Sequence, residues 1–448
     1  MKRSFAVLSL LVIAAMALAA CGPSAAAPTS ASSGGAQATS APAQPTSASS
    51  SSGGAYNCTD AIGCVTVAPG APLKIAALQS ISGDTASLGT DQVRAVQIAI
   101  DDQGGKFMGH DINLEVEDDG CNSEGGTTGA QKIVSDPQVV GIIGTSCSGA
   151  AVPASQIMSQ AGLVMISGSN TAPALTSVTG SEKGPSWQAG YFRTAHNDRF
   201  QGRAAATFVH DELGYTKAAS INDGDPYTEG LTTVFDQVFQ SLGGQNVQST
   251  AVDKSQTDMR PVLTSVAAAG AQVVYFPIFE PAGDYIVKQS KDVEGFSNIT
   301  LMGADGLLSD TFVKNVGQDG VGMYFSGPAT PSGDAYAAFV QKYQTKFGEK
   351  PIQAFHAHAY DAANMLFAAL KQVTVQDSDG TLHIPRQGLR DALYATKNFQ
   401  GLTGSLTCDQ YGDCGAPKIN IVRLDDPSAG IEGLRSNVIK TYDYSGGQ

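Results

Sequence analysis

The chain has 448 residues, of which 41 are Asp or Glu and 27 are Lys or Arg, for a formal net charge of −14. An acidic excess of this size repels phosphate backbones, so nucleic acid is excluded as a partner class. The length exceeds what one hydrophobic core serves, so more than one lobe is expected.

Lys2 and Arg3 precede an uncharged apolar stretch from Phe5 to Ala20 that ends at Leu18-Ala19-Ala20-Cys21. The stretch falls short of the roughly 20 residues that cross a bilayer, and Ala19 and Ala20 suit a signal peptidase groove. Residues 1–20 therefore read as a lipoprotein signal peptide, with Cys21 taking a diacylglycerol thioether. A retained transmembrane anchor and plain secretion are the alternatives. The reading puts the protein on the extracytoplasmic face of a bacterial membrane, in the periplasm or at the cell surface. Gly22 follows Cys21 in place of the aspartate that holds some lipoproteins in an inner membrane, so the sequence leaves open which membrane carries the anchor.

Residues 21–56 are almost wholly Ser, Ala, Gly, Pro, Thr and Gln, the composition of a disordered tether. About 34 residues of random coil place the folded part on the order of 30 Å from the bilayer. Six cysteines remain after Cys21, as suits an oxidising compartment. Cys58 with Cys64 and Cys408 with Cys414 are close in sequence, which leaves Cys121 and Cys147 to each other, although six cysteines allow fifteen pairings. No C-x-x-C pair or Cys/His cluster supports a metal site.

Beyond the tether, short β-rich runs alternate with amphipathic stretches. Strands are expected at 73–78, 112–117, 139–143 and 163–167, and helices at 90–102, 128–135 and 150–161. Val93, Val96 and Ile100 share one face of the first helix, and Gly104-Gly105 stops it. A second cycle follows, with helices at 201–213, 230–242, 259–269 and 283–293 and strands at 218–222, 247–252, 273–277 and 300–303. The pattern is an α/β fold with parallel strands, built twice. Extended runs at 190–194 and 322–328 read as hinge strands. Helices at 335–347 and 355–373 return to the first lobe, and a strand at 418–424 ends in the second. The lobes are thus expected to comprise 57–193 with 328–400, and 194–327 with 401–448. Ligands of open α/β sheets sit beyond the carboxyl ends of the strands, which points to the cleft between the lobes.

The loop Gly144-Thr145-Ser146-Cys147-Ser148-Gly149-Ala150 leaves a strand and enters a helix, where backbone N–H groups and the Ser148 hydroxyl suit an anion. A simple helix cap is the plainer explanation of Ser148 on its own. Ser167-Gly168-Ser169-Asn170-Thr171-Ala172-Pro173 puts further hydroxyls after the next strand, and the two loops together suggest a carboxylate pocket. On the other side, Asp305 in Gly303-Ala304-Asp305-Gly306 is the candidate partner for an ammonium group, or else an Asx turn before Gly306. Asp223 and Asp225 lack calcium-loop spacing and read as turn residues. No P-loop, G-x-S-x-G elbow or H-E-x-x-H helix occurs, and neither His196 nor the pair His356 and His358 has an evident nucleophile partner. No enzymatic chemistry is expected.

In order along the chain, Gln79-Ser80-Ile81-Ser82-Gly83, Glu117-Asp118-Asp119-Gly120-Cys121, Ile142-Ile143-Gly144 with Cys147-Ser148, Met165-Ile166-Ser167, Thr171-Ala172-Pro173, Phe192-Arg193-Thr194 and Tyr227-x-x-Gly230-Leu231 form a recognisable series. With it the chain resembles the type I periplasmic-binding-protein family, in particular the leucine/isoleucine/valine-binding subunits of ABC importers, over roughly Pro72 to Pro331. The resemblance implies two Rossmann-like lobes joined by three crossovers and closing on a zwitterionic amino acid. It implies that Ser148, Ser169 and Thr171 hold the α-carboxylate, that Asp305 and Tyr227 meet the ammonium, and that Cys121 pairs with Cys147. It departs at three positions: Asp305 stands where a longer Glu is common, Phe279 where a tyrosine is common, and Leu88 where an aromatic ring is frequent. The expected partners are a small-molecule solute, with amides and aromatic or aliphatic carboxylic acids as the alternatives to an amino acid, and the permease of an ABC importer. A monomer without cofactor or metal is expected, and a ligand-sensing receptor component of the same fold is the competing class.

Overall fold

The computed structural model describes residues 56–446. The expected signal peptide, the lipidated Cys21 and nearly all of the expected tether fall outside that range.

Hydrophobic alternation builds two sheets. In strand Leu73–Gln79, Leu73 and Ile75 enter one core cluster while Ala76 and Leu78 enter another, and Val140 and Ile143 alternate with Val139 and Ile142 in the same way. A strand whose two faces are both apolar must be covered on both sides. Helices Ala86–Asp102 and His356–Val373 pack on one face, and helices Ser123–Val134 and Ser148–Gln160 on the other. This first sheet has six strands, in the order Lys106–Phe107, His110–Asp118, Leu73–Gln79, Val139–Gly144, Met165–Ser167 and Tyr191–Arg193; only the first pair is antiparallel. Gln79 lies opposite Asp118, Leu78 opposite Gly144 and Ile143 opposite Ile166. The carboxyl ends are therefore level, and the loops that follow them emerge along one edge.

The second sheet obeys the same rule, with Ala219, Ile221, Val274 and Phe276 on one face and Ala218, Val273 and Tyr275 on the other. Its seven strands run in the order Val438–Asp443, Lys418–Arg423, Tyr324–Pro328, Thr300–Gly303, Val273–Tyr275, Lys217–Asn222 and Gln245–Ala251, the first two antiparallel to their neighbours. Each sheet with its covering helices forms one lobe, and the architecture is the expected doubly built α/β fold.

Several boundaries differ from the sequence reading. Tyr191–Arg193 and Tyr324–Pro328, read as hinges, are full members of their sheets, and the chain crosses between lobes after each of them. The third crossing comes later than residue 400. Leu406, Cys408 and Cys414 belong to the first lobe's core, and Arg193 exchanges backbone hydrogen bonds with Gly412 and Cys414, so the segment up to Cys414 stays with the first lobe. Helix Ser123–Val134 starts five residues before the expected 128. Asn122 caps it by accepting from the Gly125 amide at 2.9 Å, and a Cβ on Gly126 would lie 2.3 Å from the Ala150 carbonyl. The glycines that read as loop are there for close helix packing.

All three expected disulfides are present: Cys58–Cys64, Cys121–Cys147 and Cys408–Cys414. Among the described residues, no helix is long and apolar enough to cross a membrane, and no group of three or more His, Cys, Asp or Glu is placed to hold a metal ion.

Candidate functional site

The level strand ends of the first lobe set out the hydroxyl-bearing loops side by side. Ser146 is the junction between them: its amide donates to Asp119 at 2.6 Å, its hydroxyl donates to Gln79 at 2.6 Å, and the same hydroxyl accepts from the Ser80 amide at 2.9 Å. Asp119 also accepts from the Cys121 amide at 2.8 Å, beside the Cys121–Cys147 bridge. Burial nevertheless pushes its carboxyl up to about 7. Cys147 is the N-cap of helix Ser148–Gln160, so Ser148 stands in the first turn, at the positive end of the helix dipole.

The three predicted carboxylate-side residues differ in what they have free. Ser148 is 2% exposed and its hydroxyl accepts from the Ala172 amide at 3.3 Å, which leaves its proton uncommitted. The Ser169 hydroxyl donates to the Ser146 carbonyl at 2.7 Å and accepts from Gln92 at 2.9 Å, so its proton is already used. Thr171 is fully buried and its Oγ1 has no hydrogen-bond partner in the protein.

The second lobe supplies the opposite wall. Asp305 is 6% exposed; its Oδ1 accepts from Gln201 Nε2 at 2.5 Å and from the Tyr227 hydroxyl at 3.1 Å. Burial outweighs these bonds and pushes the carboxyl up to about 6. Gln201 is itself held by Ser326, at 3.2 Å to the carbonyl and 3.1 Å to the hydroxyl, and its Oε1 pairs with His196 Nε2. Asp198, on the same helix Asp198–Thr207, is fully buried with neither carboxylate oxygen hydrogen-bonded. Burial, and then the nearby Asp305 charge, hold it well above the usual carboxylate range.

These walls enclose a narrow cavity, partly open to solvent. Leu88, Ser148, Ser169, Tyr227, Phe279 and Asp305 all line it, so six of the seven predicted ligand residues are brought together; Thr171 lies outside the lining. Gly306 completes the wall, since a Cβ there would lie 3.0 Å from the Phe279 ring and 3.4 Å from that of Tyr227. Phe279 stacks obliquely on Tyr227 with centroids 5.3 Å apart.

Sequence reasoning missed Gln201 and Asp198, whose connection to Asp305 is a tertiary one. It also missed Gln353 and Phe355, which line the cavity from the loop before helix His356–Val373, and Asp84 and Glu280. Asp225, read as a turn residue, instead caps helix Pro226–Ser241 by accepting from the Tyr227 amide at 3.0 Å. His356 and His358 are both buried packing residues, and His356 is bonded to Asp91 and Tyr336.

The chain is similar to known proteins in sequence and in fold. Residues 72–427 match a family model described as "Periplasmic binding protein". The chain is 27% identical to the Leu/Ile/Val-binding protein BraC3 of Rhizobium johnstonii over 347 residues, 76% of this chain and 90% of the relative. Among solved structures, the branched-chain amino acid transporter substrate-binding protein LivJ of Streptococcus pneumoniae, in complex with isoleucine, superposes with a TM-score of 0.68 at 22% identity, covering 83% of this chain and 99% of that one. A solute-binding protein of an ABC transporter from R. palustris, in complex with benzoate, superposes with a TM-score of 0.67 at 19% identity, covering 83% and 96%.

Proposed function

The chain belongs to the periplasmic binding protein family, and from that premise we propose that it captures an amino acid or a small amino-acid-like solute between its lobes and hands it to the permease of an ABC importer. The Leu/Ile/Val-binding relative and the isoleucine-bound neighbour support the solute class. Lipid on Cys21 keeps the protein beside that permease.

In this reading the solute's carboxylate meets the Ser148 hydroxyl and the amide groups at the start of its helix, with Ser169 and Thr171 shaping the same end. Its ammonium meets Asp305 and Tyr227, and its side chain lies against Leu88 and Phe279. Closure excludes water, which strengthens the charge-assisted bond to Asp305, and no covalent step is needed. The closed form is selected because only it lets both lobes touch the solute at once.

The observation that carries the reading is the buried acid wall. Asp305 lines the cavity with no cationic side chain bonded to it, opposite hydroxyls at a helix N-terminus. A ligand with separated positive and negative ends answers both walls. Benzoate, which the R. palustris neighbour holds, would answer only one and would face Asp305 without a counter-charge.

A thermal-shift screen against amino acids, amides and carboxylic acids tests this, because a ligand bound only by the folded state raises the midpoint. Amino acids are expected to raise it. A shift produced by non-amino carboxylates alone overturns the assignment of Asp305.

A further inference from the structure

Among the described residues lining the cleft, every ionisable group apart from the Tyr227 phenol is a carboxylic acid. Besides Asp305, Asp84 from the first lobe and Glu280 from the second line the cavity, and no Lys, Arg or His joins them. A neutral α-amino acid presents one ammonium and so engages one of these acids. Asp84 and Glu280 are then left facing the solute without a counter-charge.

Glu280 is a placed group. Ser309 donates to its Oε2 at 2.6 Å, and Asn315 lies at 3.5 Å from its Oε1. The same Asn315 donates to Asp284 Oδ2 at 2.7 Å. Asp284 does not itself line the cavity; it is 5% exposed, and its Oδ1 has no hydrogen-bond partner, so this corner of the second lobe holds a second poorly compensated acid. The charge of Asp84, across the cleft, acts on both Glu280 and Asp284, so acids from the two lobes converge at the mouth. Burial, and then the charges of Asp284 and Asp84, push Glu280 up to about 7. Lys288, one helical turn beyond Asp284, offsets that residue's charge only in part. Leu88, Phe279 and Phe355 form one apolar cluster in the same cavity, a surface for methylene groups.

We propose that the cleft selects an α-amino acid whose side chain ends in a cation, of the lysine, ornithine or arginine class, with Asp305 on the α-ammonium and with Glu280 and Asp84 on the distal charge. This rests on the reading of the cleft as an amino-acid site and narrows it. An aliphatic stem along Leu88, Phe279 and Phe355 carries the distal cation towards the acidic mouth, as long cationic side chains do elsewhere.

The test is calorimetric titration of the chain with L-lysine, L-ornithine, L-arginine, L-leucine and benzoate, repeated with the Glu280→Gln and Asp84→Asn variants. Asp84 is exposed, so its variant keeps the test informative if Glu280→Gln folds poorly. At least one basic amino acid is expected to bind about tenfold or more tightly than leucine, and each variant to shrink that ratio several-fold. Leucine binding as tightly as every basic amino acid overturns this proposal and leaves the amino-acid reading standing, as does a ratio that neither variant moves. Benzoate as the sole binder overturns both.

Discussion

Gly149 and Asp225 meet across the cleft so closely that a Cβ on Gly149 would lie 2.3 Å from Asp225 Oδ2. Asp225 is held in place: its Oδ1 accepts from the Tyr227 amide at 3.0 Å, and its Oδ2 from Lys254 Nζ at 2.8 Å. Gly149 follows Ser148 in the first turn of its helix, and Asp225 caps the helix that carries Tyr227. The contact therefore registers the approach of two helix ends that each bring a candidate ligand residue to the cavity.

Gly149→Ala is expected to weaken solute binding about tenfold or more while leaving the unliganded thermal midpoint unchanged or higher. The methyl group holds the lobes apart, yet alanine suits a helix better than glycine. Titration calorimetry and a melting curve on the same variant check this. Undiminished affinity would show that the bound form does not need this approach.

Asp305 should make binding depend on pH. Its carboxyl is pushed up to about 6, and only the ionised form attracts an ammonium. Affinity for an amino acid is expected to be flat above that value and to fall up to about tenfold per pH unit below it. Asp198 adjoins Asp305, and the charge of Asp305 helps to hold it above the usual carboxylate range.

The empty protein should respond in the opposite sense. Between 3.8 and about 6 the folded state binds more protons at Asp305 than the unfolded chain does, so this group's stabilising contribution is complete at low pH and is lost as pH rises through 6. Asp305→Asn is expected to abolish amino-acid binding yet to stabilise the unliganded protein at pH 8 by on the order of 3 kcal/mol. Denaturant melts at pH 5 and pH 8 measure this; equal stability of variant and parent at pH 8 would refute the strained-acid account.

The Cys121–Cys147 bridge should matter to both stability and binding. It closes a loop with a sequence separation of 26, for which chain entropy gives roughly 3–4 kcal/mol. It also pins the residue that precedes Ser148 to the strand end carrying Asp119. Replacing both cysteines by serine is expected to lower the melting midpoint and to weaken binding several-fold. Reduction of the parent protein by dithiothreitol should reproduce the binding loss.

How much was legible follows from how local each signal is. The strands at Leu73–Gln79 and Val139–Gly144 were readable because their apolar residues are contiguous, and Ser148, Tyr227 and Asp305 because each follows within a few residues of a strand end. Helix starts at Ser123 and Pro226 were missed because glycine and proline at a first turn carry the same letters as a loop. The segment 374–416 was not read because its strands are two to four residues long and exist by pairing: Leu382–Pro385 is a strand through its partner Cys64–Val67, far away in sequence. Gln201 looked like the first residue of an amphipathic helix, and nothing in its neighbours announces a bond to a side chain 104 positions away.

Asp413 is the sharpest example of a distant residue that the site depends on, and it gives the last prediction. Arg193 is fully buried; its Nε donates to Asp413 Oδ1 at 2.5 Å, while its other nitrogens donate to the Ala172 carbonyl at 2.8 Å and to the Thr176 hydroxyl at 2.5 Å. Asp413 also accepts from Thr176 at 2.9 Å and from Asn197 at 3.0 Å. The Cys408–Cys414 hairpin thus locks, through one ion pair, the loop that carries Ser169 and Thr171. Removing one member of a buried pair leaves an uncompensated charge, so Asp413→Ala is expected to cost about 3–5 kcal/mol, whereas Asp413→Asn, which still accepts a hydrogen bond, should cost less. In the Asn variant the guanidinium keeps its carbonyl partners but loses its counter-ion, so the loop should loosen before the lobe unfolds. Hydrogen exchange ought to show faster exchange at the Ala172 amide, which donates to Ser148, with the core strands still protected. If Ala172 exchanges at the parent rate in both variants, the hairpin is not what orders the hydroxyl loop.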